Sequence, residues 1–316
     1  MNTPSLRSST PLSSPRSTVA VVGLGGIGSV IAGLLRAADR HDVIACVRRP
    51  VDRMIVERPE RTFEVPLRAL TDPAAAGPVD WVLLATKAHE AVSAAPWLAR
   101  LCGAHTRVAV LQNGIHQTER LEPLVGAARV VPAIVYYNGE RLAPDHVRNR
   151  LVGDHDLALH EDADGRAFAE LVAGTPMRVL LCDDLETRAW RKLLINAVAN
   201  PFTALTLQRI SVFQREDIQA LSLAVLEEAA AVGRADGARL ADDEAARTLA
   251  NLLTYPPEAA TSMYFDRVRG RPFEVEALTG EIVATGLRHD IPTPLNSTLL
   301  TLLRAISDGG GQPGAG

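Results

Sequence analysis

At 316 residues the chain has room for two domains, and with 47% hydrophobic and 22% charged residues its composition is that of a globular protein. A formal net charge of −4, with the basic residues scattered, excludes the electrostatic footprint of a nucleic-acid-binding protein. Cys46, Cys102 and Cys182 stand apart, with no CxxC and no Cys/His cluster. That argues against a metal site or a disulfide framework and fits a reduced, cytoplasmic protein.

Residues 1–17, rich in Ser, Pro and Arg, read as a disordered tail. The apolar run VAVVGLGGIGSVIAGLL that follows resembles a signal-peptide core in hydropathy, but its five glycines argue against a membrane or signal helix. Short β-rich runs then alternate with helical patterns. The predicted strands are TVAVVG (18–23), DVIACV (42–47), DWVLLAT (80–86), RVAVLQN (107–113) and RVVPAIVYY (129–137), with DLALH (156–160) and MRVLL (177–181) as edge strands. A helix with Ile31, Leu34 and Leu35 on its inner side joins the first two. Continuous apolar strands separated by helices predict a parallel sheet covered on both faces. Past residue 183 long helical patterns take over, at 184–200, 214–234, 242–253, 274–288 and 294–306. The expected fold is therefore α/β: an N-terminal Rossmann-like doubly wound domain over 18–182, an all-α domain over 183–308, and a flexible tail over 309–316.

GLGGIG, residues 23–28, fits G-x-G-x-x-G through Gly23, Gly25 and Gly28, and it follows a predicted strand and opens a helix, which is the context the motif needs. Gly23 permits the tight turn, Gly25 lets backbone approach a pyrophosphate, and Gly28 allows close packing; Leu24, Gly26 and Ile27 complete the loop, and the helix N-terminus faces the anion. The second strand ends in ACVRRP, with Arg48 and Arg49 and no carboxylate. A guanidinium there suits the 2′-phosphate of NADP. Arg48 is the stronger candidate, because alternate side chains of a strand point to opposite faces. Later strands end in ATKAHE, with Lys87, and LQNGIH, with Gln112 and Asn113, where open α/β sheets bind ligands. Asn113-Gly114 reads equally well as turn chemistry.

WRKLLINAVANP, residues 190–201, places Lys192, Asn196 and Asn200 on one helix face, a polar stripe roughly 12 Å long. Asn is a poor helix former, so two copies inside a helix ask for a local reason, such as a cleft where amides bind substrate and Lys supplies a charge and a proton. Pro201 is expected to end or kink this helix. His89, His105, His116 and His289 have no sequence-evident partner and read as surface or capping residues.

With these residues in view the chain resembles the ketopantoate reductase (2-dehydropantoate 2-reductase) family, in the 6-phosphogluconate-dehydrogenase-like group, over about residues 18–306. The carriers are GLGGIG, TKAHE (86–90), LQNG (111–114), WRKLLINAVANPFTAL (190–205), TSMYFDRVRGRPFEVE (261–276) and the ending IPTPLNSTLLTLL. The resemblance implies an NADPH-dependent reduction of a 2-oxo acid, with ketopantoate as the substrate and pantothenate biosynthesis as the setting. It implies Lys192 as general acid and Glu274 as the group that binds the substrate hydroxyl or holds Lys192. Asn196, Asn200 and Ser262 would bind substrate carboxylate and hydroxyl groups. Asn113 would sit near the nicotinamide and the substrate, Lys87 beside the ribose or nicotinamide, and Arg48 at the 2′-phosphate. Thr279-Gly280, Phe273 and VYYNGERLAPDHV (135–147) depart from the family's usual residues and put the pocket wall in doubt. Two alternatives stand beside this reading: a reductase of another small oxo acid, and a non-catalytic NADP-binding sensor, against which Lys192 and Glu274 argue. Beyond its small-molecule substrate, the chain is expected to have no nucleic-acid or membrane partner and no metal, and helices 214–234 and 274–288 could bury a homodimer interface.

Overall fold

The computed structural model describes residues 16–309. Its strands are β1 (Thr18–Val22), β2 (Asp42–Cys46), β3 (Arg53–Glu57), β4 (Thr62–Pro66), β5 (Arg68–Leu70), β6 (Trp81–Leu84), β7 (Arg107–Val110), β8 (Arg129–Pro132), β9 (Ile134–Val135), β10 (Asn138–Ala143), β11 (His146–Arg150), β12 (Leu157–His160) and β13 (Val179–Cys182). The helices are α1 (Gly26–Ala38), α2 (Ala91–Leu101), α3 (Gln117–Val125), α4 (Ala163–Leu171), α5 (Leu185–Thr206), α6 (Glu216–Ala235), α7 (Glu244–Leu252), α8 (Ser262–Val268), α9 (Glu281–Arg288) and α10 (Pro294–Gly309).

The main sheet has six strands in the order β5-β2-β1-β6-β7-β8, all parallel. This is a Rossmann-like doubly wound sheet. The chain moves outward from β1 to β2 and β5, then returns to the other side of β1 as β6. The crevice at the carboxyl ends of β1 and β6 is thus the topological switch point, where such sheets bind ligands. Strand residues alternate between two cores, as a pleated strand with both faces covered must. Val19 and Val21 pack with Ile31, Leu34 and Leu35 of α1, while Ala20 and Val22 pack with Trp97 and Leu98 of α2 and Leu121 of α3.

Past Cys182 the described structure is helical, and a separate core forms around α5 and α6, with Trp190, Leu193, Leu194, Val225 and Leu226 among its members. Asp184 caps α5 by accepting from Thr187 N at 3.1 Å. None of the described helices is long and apolar enough to cross a membrane.

Several local expectations are corrected. RVVPAIVYY is not one strand. It splits into β8 in the main sheet and β9, which pairs antiparallel with β12 in a three-stranded sheet ordered β13-β12-β9. DLALH is therefore the centre of that sheet rather than an edge, and its Leu157, Ala158 and Leu159 are fully buried. A four-stranded sheet, β10-β11-β3-β4, went unpredicted. Charged residues bound or interrupt its strands, as Arg53 and Glu57 bound β3 and Glu64 interrupts β4, so these lack the longer apolar runs of the main strands. Helix α5 does not stop at Pro201 but runs to Thr206. The residues after the proline, Phe202, Thr203 and Ala204, are buried, and that burial outweighs one lost backbone bond. The pattern at 274–288 is a π-helical turn over Glu276–Gly280 followed by α9. Of the N-terminal tail, residues 1–15 lie outside the described residues. Arg16 is tied down, pairing with Asp39 at 2.6 Å and Asp42 at 3.0 Å. Of the C-terminal tail, residues 310–316 also lie outside.

Candidate active site

The glycine loop begins where β1 ends. Gly23 has φ +94°, and a Cβ there would fall 2.8 Å from Thr86 Cγ2, so the two strands of the switch point touch only because the residue is glycine. Gly25, at the N-cap of α1, is exposed. A Cβ on Gly25 would meet nothing nearer than Ala85 O at 3.9 Å, which leaves the open space a pyrophosphate needs. The first backbone bond of α1 runs from Ser29 N to Gly25 O at 3.0 Å, so the N–H groups of the turn before it face outward at the positive end of the helix. These residues fit a dinucleotide. Gly26 serves a different purpose: its Cβ would lie 1.9 Å from Gly139 O, so β10 packs directly on the loop.

Arg48 follows β2 with its side chain 88% exposed, 3.3 Å from Glu90 Oε1. Three further guanidinium groups, those of Arg49, Arg141 and Arg271, converge on this corner. Arg141 of β10 is flanked by Arg271, Arg49 and Arg48, and burial first, then these neighbours, lower its pKa. Lys87, after β6, donates to Asp266 Oδ2 at 2.5 Å and to Pro272 O at 3.4 Å. Burial raises the pKa of Asp266 despite that ion pair. Asp266, Arg141 and Arg271 were not singled out from sequence, since nothing local marks a residue whose partner lies well over a hundred positions away.

Lys192 and Asn196 line one cleft together with Gln112, Asn113, Gly114 and Leu193. Lys192 Nζ donates to Asn113 Oδ1 at 3.0 Å and to Val135 O at 2.5 Å. The side chain is half-buried. Burial therefore brings its pKa from 10.5 down to about 8, against the opposing pull of Glu274. Glu274 accepts from Asn113 Nδ2 at 3.2 Å and from Ala88 N at 3.1 Å. One asparagine thus joins the lysine to the carboxylate. Asn200 is buried and donates to Asn196 Oδ1 at 3.3 Å. Ser262 is exposed at the start of α8, and the preceding Thr261 shares a 2.7 Å hydrogen bond with Thr203 of α5. His116 sits at the N-cap position of α3, but its ring lies between Asp236 and Glu281, so it is no bland surface residue.

Comparison with known proteins bears on what this arrangement is. Residues 19–161 match the family model described as Ketopantoate reductase PanE/ApbA, and residues 184–307 match Ketopantoate reductase PanE/ApbA C terminal. The chain is 39% identical over 295 residues to a 2-dehydropantoate 2-reductase of Mycobacterium tuberculosis, covering 93% of this chain and 99% of the relative. It is 37% identical over 293 residues to one of Caulobacter vibrioides, covering 92% and 99%. A crystal structure of a PanE/ApbA family ketopantoate reductase from Ralstonia eutropha superposes with TM-score 0.84 at 30% identity, covering 93% of this chain and 100% of that one. A dimeric ketopantoate reductase from Staphylococcus aureus gives 0.82 at 27%, with the same coverage. Both halves of the chain match the family's models, and the likeness runs over nearly the whole length of these relatives: the chain belongs to the ketopantoate reductase family of oxidoreductases.

Proposed function

We propose that the protein reduces 2-dehydropantoate to pantoate with NADPH, in the cytoplasm. The observation that carries this reading is the Lys192–Asn113–Glu274 chain at the carboxyl end of the sheet, with a lysine whose pKa is brought down to about 8. NADPH, when bound, would supply the hydride for the ketone carbon. Charge then grows on the ketone oxygen, and Lys192 stabilises it and delivers the proton. An ammonium has three N–H bonds; two are used by Asn113 and Val135, which leaves one for the substrate oxygen.

Glu274 accepts the substrate hydroxyl and, through Asn113, keeps the lysine aimed. Asn196 offers its amide N–H groups to the carboxylate, which can only accept, while its oxygen is turned to Asn200. Ser262 closes the substrate site from α8. On the nucleotide side, residues Gly23 to Gly28 would cradle the pyrophosphate, Lys87 and Asn113 would hold the ribose and nicotinamide, and Arg48 would take the 2′-phosphate, with Arg49, Arg141 and Arg271 at the same corner.

The test is NADPH absorbance during turnover of ketopantoate by the purified protein, with NADH and a panel of other 2-oxo acids alongside. Rapid NADPH oxidation by ketopantoate is expected; turnover confined to another oxo acid overturns the substrate, and none at all overturns the enzyme. We also propose a homodimer. Leu221 on α6 and Leu287 on α9 are 41% and 80% exposed, on helices expected to carry an interface. Light scattering should give twice the 33.8 kDa chain mass, and the monomer mass alone would exclude the dimer.

A further inference from the structure

The loop after β7 leaves the nucleotide-binding half and enters the helical half, one residue at a time. Asn113 bonds Lys192 and Glu274. Gly114, with φ +96°, runs so close to the π-helical turn that a Cβ would lie 2.5 Å from Ala277 O. Ile115 is 5% exposed and belongs to the core of the helical half. His116 ends the series in the left-handed region, φ +51°, a conformation that costs a side chain about 1 kcal/mol or more and needs something to hold it.

What holds it is a pair of carboxylates. His116 Nδ1 lies 2.8 Å from Glu281 Oε1 of α9, and Nε2 lies 2.9 Å from Asp236 Oδ2 at the end of α6. Around them, the Arg288 guanidinium of α9 donates to Thr285 Oγ1 at 2.7 Å and pairs with Glu281 Oε1 at 3.5 Å; it also lies 3.2 Å from His116 Nδ1, where its charge works against the imidazolium that the two carboxylates favour. His289 lies 3.2 Å from Asp236 Oδ1, and Trp190 of α5 donates to Asp236 Oδ2 at 3.0 Å. Arg120 of α3 also faces Glu281. A neutral imidazole has one N–H and cannot donate to both carboxylates, whereas the imidazolium can.

We propose that His116, as its imidazolium, is a positioning residue that pins loop 113–116 between Asp236 and Glu281 and so holds Asn113 against Lys192 and Glu274. The hydrogen bond to Glu281, followed by the charges of Asp236 and Glu281, raises the histidine's pKa above its ordinary value, although burial opposes them. A raised folded-state pKa means the pin is fully present below about pH 6.5 and is lost as pH rises through the raised value. The consequence for turnover rests on the reductase reading of Lys192 and Asn113; the pin itself does not.

The experiment is hydrogen exchange of peptides spanning 111–117 across pH, corrected for intrinsic rate, on wild type, His116→Asn and Glu281→Gln, with ketopantoate turnover measured in parallel. Asparagine tolerates the left-handed backbone but carries no charge. Wild-type protection should fall several-fold as His116 deprotonates. The step should be absent in His116→Asn and moved to lower pH in Glu281→Gln. At pH 6, where the imidazolium is present, His116→Asn should lose about tenfold in kcat with little change in KM, as expected of a displaced catalytic contact. Equal protection with one pH profile in all three proteins would overturn the pin. Should His116→Asn not fold, Glu281→Gln keeps the ring and decides by the position of its step. A step without ketopantoate turnover leaves the pin standing and the reductase reading fallen; turnover without a step does the reverse.

Discussion

Asn113 Oδ1 lies 3.0 Å from Lys192 Nζ, so a residue of the sheet half and a residue of the helical half share one hydrogen bond where the proposed chemistry occurs. The same amide reaches Glu274 with its nitrogen at 3.2 Å. The lysine's direction is thus set from the other side of the cleft.

Lys192→Ala should lower kcat by about a thousandfold, the middle of the range for a lost general acid, while NADPH affinity measured by fluorescence stays within about twofold. The acid must be protonated to act. With its pKa brought down to about 8, reduction should slow as pH rises through that value. A flat rate up to pH 10 would exclude Lys192 as the proton donor.

Keeping this ammonium half-buried has a cost to the fold. Because its pKa in the folded chain, about 8, is below the ordinary 10.5, the folded state holds fewer protons than the unfolded one between those values. Stability should therefore rise with pH across that window. Lys192→Met removes the half-buried charge and should raise Tm by a few degrees at pH 7 while abolishing turnover. A lower Tm in that variant would show that the lysine's hydrogen bonds outweigh its desolvation.

Gly25 and Gly26 are adjacent, and their substitutions should fail differently. Gly25→Ala places a methyl in open space, 3.9 Å from its nearest neighbour; it should melt like wild type and lose at least tenfold in NADPH affinity. Gly26→Ala drives a methyl to 1.9 Å from Gly139 O and should lower Tm by forcing β10 away. Thermal melts with and without NADPH separate the two.

Arg48→Ala should weaken NADPH binding by about tenfold, as loss of one charge-assisted contact to a phosphate does, and leave NADH binding unchanged. Its pairing with Glu90 is solvent-exposed and contributes little against this. If Arg48→Ala leaves the NADPH-to-NADH preference intact, the 2′-phosphate is read by Arg49, or by Arg141 or Arg271, instead.

The parallel core of the fold was legible because its strands are continuous apolar runs, and the glycine loop because its spacing sits between a strand and a helix. RVVPAIVYY misled because both halves are apolar and β-branched, although Pro132, the last residue of β8, lacks the N–H a continuing strand would use and marks where the chain changes sheets. The strands of the β3–β4 hairpin escaped notice because half of their residues face solvent. Lys192, Asn196 and Glu274 could be named since the helix period and the family pattern mark them. Asp266, Arg141 and the carboxylates around His116 could not, because each gains its meaning from a partner that only folding brings near.

Ile115 carries a consequence for modularity. It is covalently part of the sheet half, yet it belongs to the core of the helical half. The two halves are therefore not interchangeable cassettes divisible at the short segment between Cys182 and Leu185. A chimera that exchanges the helical half with that of a relative must bring residues 113–116 along, or the incoming core meets a side chain it was not selected to enclose.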